Sequence, residues 1–347
     1  MCAMPVTEPQ IRPDHSARRR RKADEAILMN PAGPSPQSRI VLELCRRVIR
    51  PAVRVAPVTS LGLRAAFLIE ALAGVRGVPS GIACDRVRLP ELRLEVVRPV
   101  DRMAHHGDGV VLYFHGGGFV ACGTNTHRSV VAGLARRTGM PVINVEYRQL
   151  PKTNIAGSVR DCLTAYRWLL DQGADPRKVV FAGDSAGGFL VFATALKAIE
   201  EGLPRPAGLV GMSPLLDLDC ADKFTHANAK LDAFVAVRGL AAVCRLGGAV
   251  DGVIDPLLSP VNGALAKLPP ALLLCAEDEV LRCDAELMSK RLRRARVSTE
   301  LQLWRGQVHA FPALAPNLPE SRAALAGVAR FIRSRTSPPR TGRGRIA

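Results

Sequence analysis

The sequence predicts an α/β protein: an eight-stranded, mostly parallel sheet flanked by helices and covered in part by a helical cap. Three observations carry this. From residue 86 onward, short β-branched runs alternate with helical patterns, which requires parallel strands joined by crossover helices. One such run, Val179-Val180-Phe181-Ala182, stops at Gly183, and an Ala- and Phe-rich helical pattern starts just after Ser185. A serine therefore stands on a sharp strand-to-helix turn. Finally, 347 residues, 48% hydrophobic and 23% charged, are enough for one large core with a smaller appendage.

In chain order, residues 1–37 are rich in Pro, Arg and small residues and are expected to form a basic arm without fixed structure. Two amphipathic patterns follow, one carrying Ile40, Leu42, Leu44, Val48 and Ile49, the other running from Ser60 to Ala73. Both precede the first strand, so residues 38–80 read as a first cap segment. Strands are expected at Arg86–Leu89, Leu92–Val97, Val110–Phe114, Pro141–Tyr147, Val179–Gly183, Gly208–Met212, Ala271–Ala276 and Glu300–Trp304. The first two adjoin without a helix and should form an antiparallel hairpin. Helices are expected at His127–Arg137, Ser158–Asp171, Ala186–Glu201, Asp284–Ala295 and Glu320–Arg333. The interval from Leu215 to Asp255 is too long for a simple connection and reads as a second cap segment, about 216–254. The core then spans 81–335, and 336–347 form a basic tail.

The formal charge of +17 is concentrated in part at the ends, in Arg18-Arg19-Arg20-Arg21-Lys22 and in Arg340, Arg343 and Arg345. The bland reading is solvated tails; the partner such arms would select is an anionic membrane surface. No aromatic interleaving or RNA-binding motif accompanies them, so nucleic acid is not expected. The nine cysteines are scattered and contain no C-x-x-C pair, which argues against a disulfide framework or zinc site and for a reducing, cytoplasmic compartment. The N-terminal basic residues precede no apolar run of signal-peptide type. The stretch Leu61 to Val75 is interrupted by Arg64 and Glu70 and is too short to span a bilayer.

Chemistry concentrates at three places. Gly183-Asp184-Ser185-Ala186-Gly187 is a G-x-S-x-G turn, whose flanking glycines let the chain pack closely while the serine Oγ is lifted above the sheet. The N–H of Ala186 points the same way from the first helical turn. His115-Gly116-Gly117-Gly118 follows the third strand, and consecutive glycines let main-chain N–H groups face a ligand. Gly116 and Gly117 are expected to complete an oxyanion hole with Ala186, while His115 reads as orienting the loop. A serine also needs a base. Among seven histidines, His309 alone follows both the serine and the last strand, in the order serine, acid, histidine of α/β-hydrolases. His226 precedes the strand that should supply the acid. The acid belongs just after the seventh strand, where Glu277, Asp278 and Glu279 all stand.

With these residues in view, the chain resembles the hormone-sensitive-lipase-like esterases of the α/β-hydrolase superfamily over roughly residues 85 to 335. The matching stretches are His115-Gly116-Gly117-Gly118-Phe119, Thr126-His127-Arg128, Glu146-Tyr147-Arg148, Gly183-Asp184-Ser185-Ala186-Gly187-Gly188, Asp255-Pro256-Leu257, Leu268-Pro269-Pro270 and Val308-His309-Ala310-Phe311. The resemblance implies a serine ester hydrolase acting on short- to medium-chain acyl esters, with no metal or organic cofactor. Aligned on Leu281, it implies Glu279 as the acid, with Asp278 as the fallback. An amide or formamide hydrolase would use the same groups, and a non-catalytic binding protein on this scaffold would lack one of them. Two departures stand out: Lys152 replaces an acid, and Cys283 replaces the second carboxylate of the acid segment.

Overall fold

A computed structural model describes residues 26–55, 70–71, 73–75, 77–102 and 109–337. Its strands are β1 Ile27–Met29, β2 Ile82–Arg88, β3 Arg93–Pro99, β4 Val110–Phe114, β5 Val142–Glu146, β6 Val179–Asp184, β7 Gly208–Met212, β8 Ala271–Ala276 and β9 Thr299–Trp304. They form one sheet in the order β1-β9-β8-β7-β6-β4-β5-β3-β2. The hairpin β2–β3 is antiparallel and β3 runs antiparallel to β5; every other pairing in the sheet is parallel.

The sheet has nine strands rather than eight, and the extra one lies where no fixed structure is expected. Ile27, Leu28 and Met29 pair with Gln302, Leu303 and Trp304. Asn30 clasps Arg305 from both sides, its Nδ2 donating to the Arg305 carbonyl and its Oδ1 accepting the Arg305 N–H. Three apolar residues are too short a run to signal a strand, and their partner is far away in sequence. Covering the edge of β9 removes a row of open main-chain groups. The basic residues 18–22 and 340–345 lie outside the described residues.

The first amphipathic pattern is helical and longer than expected: α1 Pro36–Leu44 continues through a π-turn, Cys45–Ile49, into Arg50–Val55. It starts at Pro36 because Ser35 caps it, its side chain accepting the Ser38 N–H. Most of the second pattern, Ser60 to Ala73, lies outside the described residues.

The remaining long helices are α2 Thr124–Thr138, α3 Ile155–Asp171, α4 Ala186–Glu200, α5 Val237–Gly248, α6 Arg282–Arg294 and α7 Pro319–Thr336. Val130 and Leu134 of α2 and Leu325, Val328 and Ile332 of α7 share one core with Val111, Tyr113 and Val180. Leu163 and Tyr166 of α3, Phe189 and Phe192 of α4 and Met288 of α6 share the other with Leu112, Phe114 and Phe181. Alternate residues of β4 and β6 thus face opposite layers, as a sheet buried on both sides requires. The 216–254 segment contributes α5 and two short helices, Ala221–Thr225 and Asn228–Leu231. Arg50 of the N-terminal helix donates to the Ala229 and Lys230 carbonyls, so the two proposed cap segments touch each other.

Candidate active site

The carboxyl ends of the parallel strands gather the reactive groups, as is general in open α/β sheets. Ser185 joins β6 to α4 with φ 52 and ψ −120, a conformation few side-chain-bearing residues adopt. Its N–H donates to the Met212 carbonyl and its own carbonyl accepts from Leu215, so neighbouring strand ends hold the strained turn. The flanking glycines are obligatory: a Cβ on Gly187 would lie 1.9 Å from the Phe114 carbonyl oxygen, and one on Gly183 would lie 2.6 Å from it.

Ser185 Oγ lies 2.8 Å from His309 Nε2, and His309 Nδ1 lies 2.7 Å from Glu279 Oε2. The second Glu279 oxygen accepts the Ala276 N–H. Glu279, rather than Asp278, thus meets the imidazole. Both Glu279 and His309 are buried. Burial pushes the Glu279 carboxyl above its usual range, against the opposing pull of His309 and of a Ser213 hydrogen bond. For His309 burial disfavours charge, but the Glu279 hydrogen bond and charge, with Asp232 and Asp184 behind them, outweigh it and raise its pKa.

The glycine loop departs from expectation in one donor. The N–H of Gly116 is committed to Asp184 Oδ1 at 3.2 Å, so it does not face the serine side as an open donor. The cause is a buried cluster that motif spacing does not reveal. Asp184 also accepts from the Tyr113 hydroxyl at 2.7 Å and pairs with His127 Nε2 at 3.2 Å. Burial opposes the Asp184 charge, but His127 outweighs it and holds the carboxyl below its ordinary value. His115 is fully buried, stacks on Tyr147 at 4.3 Å and donates from Nδ1 to the Gly116 carbonyl. Burial, helped by His127, pushes its pKa down to about 3, so it stays neutral. Gly117, at φ +116, is fixed by sterics, since a Cβ there would sit 2.0 Å from the Ala121 carbonyl oxygen.

A match to the α/β hydrolase fold family covers residues 111–313, well over half of the chain and all of the groups just described. The chain belongs to that family. The hydrolase is 36% identical over 321 residues to a carboxylesterase/phospholipase, LipF, of Mycobacterium tuberculosis, covering 90% of this chain and 85% of that one. It is 33% identical to an acetyl-hydrolase of Streptomyces hygroscopicus, covering 76% and 86% of the two chains. A crystal structure of a bacterial hormone-sensitive lipase family esterase superposes with a TM-score of 0.77 at 30% identity, covering 87% of this chain and 99% of that one. The protein is an ester hydrolase of this hormone-sensitive-lipase-like group.

Several residues that support the hydrolase site carried no assigned role in the sequence. Thr126-His127-Arg128 and Glu146-Tyr147-Arg148 could be flagged as motifs, but only the fold gives them work. His127 pairs with the elbow aspartate, Tyr147 donates its hydroxyl to the His115 carbonyl, and Arg128 makes a buried ion pair with Glu95 at 2.7 Å. Ser213 Oγ accepts the Ala310 N–H, pinning the residue after His309. Of the two departures, Lys152 is exposed. Cys283 donates its thiol to the Val280 carbonyl, and its neighbour Asp284 carries the local charge, buried 2.7 Å from Lys223 Nζ. Among the described residues no cluster of His, Cys, Asp or Glu is placed to hold a metal ion, and no helix is long and apolar enough to cross a membrane.

Proposed function

We propose that the hydrolase is a serine carboxylesterase that works through an acyl-enzyme. The observation that carries this reading is the unbroken relay from Glu279 through His309 to Ser185, at 2.7 and 2.8 Å. His309 Nε2 takes the Ser185 proton as Oγ attacks the ester carbonyl, while Glu279 fixes the tautomer and stabilises the imidazolium. The carbonyl oxygen becomes an oxyanion. Its donors are the N–H groups of Gly117 and Ala186, with Gly118, the next residue of the loop at φ +62, taking the place of Gly116. His309 then protonates the departing alcohol, and water, deprotonated by the same imidazole, releases the acid. The chain's own groups handle every proton and charge in this cycle.

The substrate class we propose is short- to medium-chain acyl esters, supported by the hormone-sensitive-lipase-like resemblance and by the acetyl-hydrolase among the relatives. The two cap segments would set the acyl preference. The phospholipase activity in one relative's name makes contact with an anionic membrane, through the basic arms, a proposal of the same standing. A fluorophosphonate probe followed by peptide mapping tests the mechanism, with label expected on Ser185 alone. Hydrolysis of p-nitrophenyl acetate, butyrate, octanoate and palmitate by wild type and Ser185→Ala tests the substrate class. Label elsewhere, or undiminished hydrolysis by the variant, overturns the serine assignment; a preference for palmitate overturns the chain length.

A further inference from the structure

A carboxylate outside the relay is tied to two of its three members, Glu279 and His309. Asp232, in the segment between the short helix Asn228–Leu231 and α5, is 1% exposed. Its Oδ2 accepts the N–H of Val280, the residue next to Glu279, at 2.8 Å. Its Oδ1 accepts the N–H groups of Phe234 and Val235 at 2.7 and 2.8 Å. The second pair folds residues 232–235 into a tight turn of the kind an aspartate side chain makes with the main chain ahead of it. That turn sets the Phe234 ring 5.7 Å from the His309 imidazole and at 29° to it, a stacked arrangement. From the same segment, Asn228 Nδ2 donates to the Glu277 and Glu279 carbonyls, both at 2.9 Å. The acid-bearing turn is therefore held from outside, its main-chain groups bonded by the Asp232 and Asn228 side chains of a segment far from it in sequence.

We propose that Asp232 is a positioning residue of the relay: it fixes the turn that carries Glu279, seats Phe234 over His309, and adds a second buried carboxylate beside the pair. The proposal rests on the Ser185–His309–Glu279 reading above. The ionisable groups that act on His309 are Glu279 from the turn after β8, Asp232 from the 216–254 segment and Asp184 from the end of β6. Cys45, on the N-terminal helix, also feels the Asp232 charge, which adds to burial in raising its thiol. Three N–H bonds to one carboxylate leave little freedom for the turn, and a side chain without the charge cannot reproduce both functions. An amide at this position would turn its NH₂ toward a main-chain N–H at one end or the other, opposing donor to donor.

The test compares wild type, Asp232→Asn and Phe234→Leu in kcat and KM for p-nitrophenyl butyrate across about pH 5 to 9, with thermal melting and fluorophosphonate labelling alongside. Asp232→Asn is expected to lower kcat about 10- to 100-fold, the cost of a small misplacement of reacting groups, with KM little changed. Its acidic limb in kcat/KM should move to lower pH by about half a unit or more, because a neighbouring negative charge is gone. Phe234→Leu should lower kcat while leaving that limb in place. Should Asp232→Asn not fold, Asp232→Ser keeps one acceptor for the Phe234 and Val235 N–H groups and carries the same expectation. An unmoved limb in a folded neutral variant, or failure of both neutral variants to fold, reduces Asp232 to a structural residue and overturns the proposal. Absence of label on Ser185 in wild type would instead overturn the serine mechanism, so the two failures are told apart.

Discussion

The main-chain N–H of Gly116 donates to Oδ1 of Asp184 across 3.2 Å, joining the glycine loop to the residue just before the nucleophilic turn. Because Asp184 also binds Tyr113 and His127, a change there should reach the loop and the serine together. Asp184→Asn is expected to cost roughly 1.5–3 kcal/mol of stability, the range for hydrogen bonds to a charged group, read by denaturant melts. The contribution has a pH window. His127, raised by Asp184 against burial, gives stability that is full below its ordinary value and is lost as pH rises through its raised one. Asp184, held low, gives stability present above its ordinary value and lost as pH falls through its depressed one. The difference between wild type and variant should therefore shrink at the alkaline end; a gap that widens there would contradict the pairing.

The acid can be settled by a pair of substitutions. Glu279→Gln should lower kcat by about 10³–10⁴-fold, as loss of the tautomer-fixing carboxylate does in serine hydrolases. Asp278→Asn, one residue away but without contact to the imidazole, should stay within about twofold, as a partly exposed side chain outside the relay would. Esterase assays on the two proteins decide the matter, and the reverse order would move the acid to Asp278.

Gly117→Ala should be far worse than its chemistry suggests. Its Cβ would lie 2.0 Å from a carbonyl oxygen, and φ +116 is strained for any L side chain, so the loop must shift. Losing one oxyanion donor typically costs ~10²–10³ in kcat. The measurement is kcat with KM determined separately; a change confined to KM would argue against the donor role.

Activity should fall on the acid side above the ordinary histidine value of 6.5. His309 must be neutral to accept the Ser185 proton. Burial resists its charging, but Glu279, Asp232 and Asp184 together raise its pKa, so protonation sets in at a higher pH than for a free imidazole. A kcat/KM profile whose acidic limb lies below that value would refute this balance of charges.

Lys223 and Asp284 are 1% and 3% exposed, with Nζ and Oδ1 2.7 Å apart. Lys223→Met removes one partner and leaves a buried carboxylate, an event that costs about 3–5 kcal/mol. Lys223→Met with Asp284→Asn together should recover part of that loss. Thermal melts of the single and double variants check the coupling.

Much of this was legible in the chain. The β4, β7 and β8 boundaries agree with the strand patterns to the residue, because fully buried parallel strands read as uninterrupted apolar runs. The serine turn was legible because two glycines are sterically required around it, and His309 because it follows the last strand of the alternation. Strand β1 was not, since three residues owe their conformation to an edge supplied by the far end of the chain. The Gly116–Asp184 bond was hidden for a related reason: identical glycines in a row look interchangeable, and only the buried Asp184 distinguishes the first.

The order of residues alone determined the alternation of strand and helix, the sharp turn at Ser185 and the presence of an imidazole and carboxylates after the last strands. These follow from local rules of pattern, backbone strain and connection. Which carboxylate meets His309, which loop amide is tied to Asp184 and which residues brace them were decided only when strands distant in sequence lay side by side. Whether an amide is committed to a buried charge depends on which side chain the fold brings beside it, as Asp184 stands beside Gly116, and spacing along the chain does not encode that.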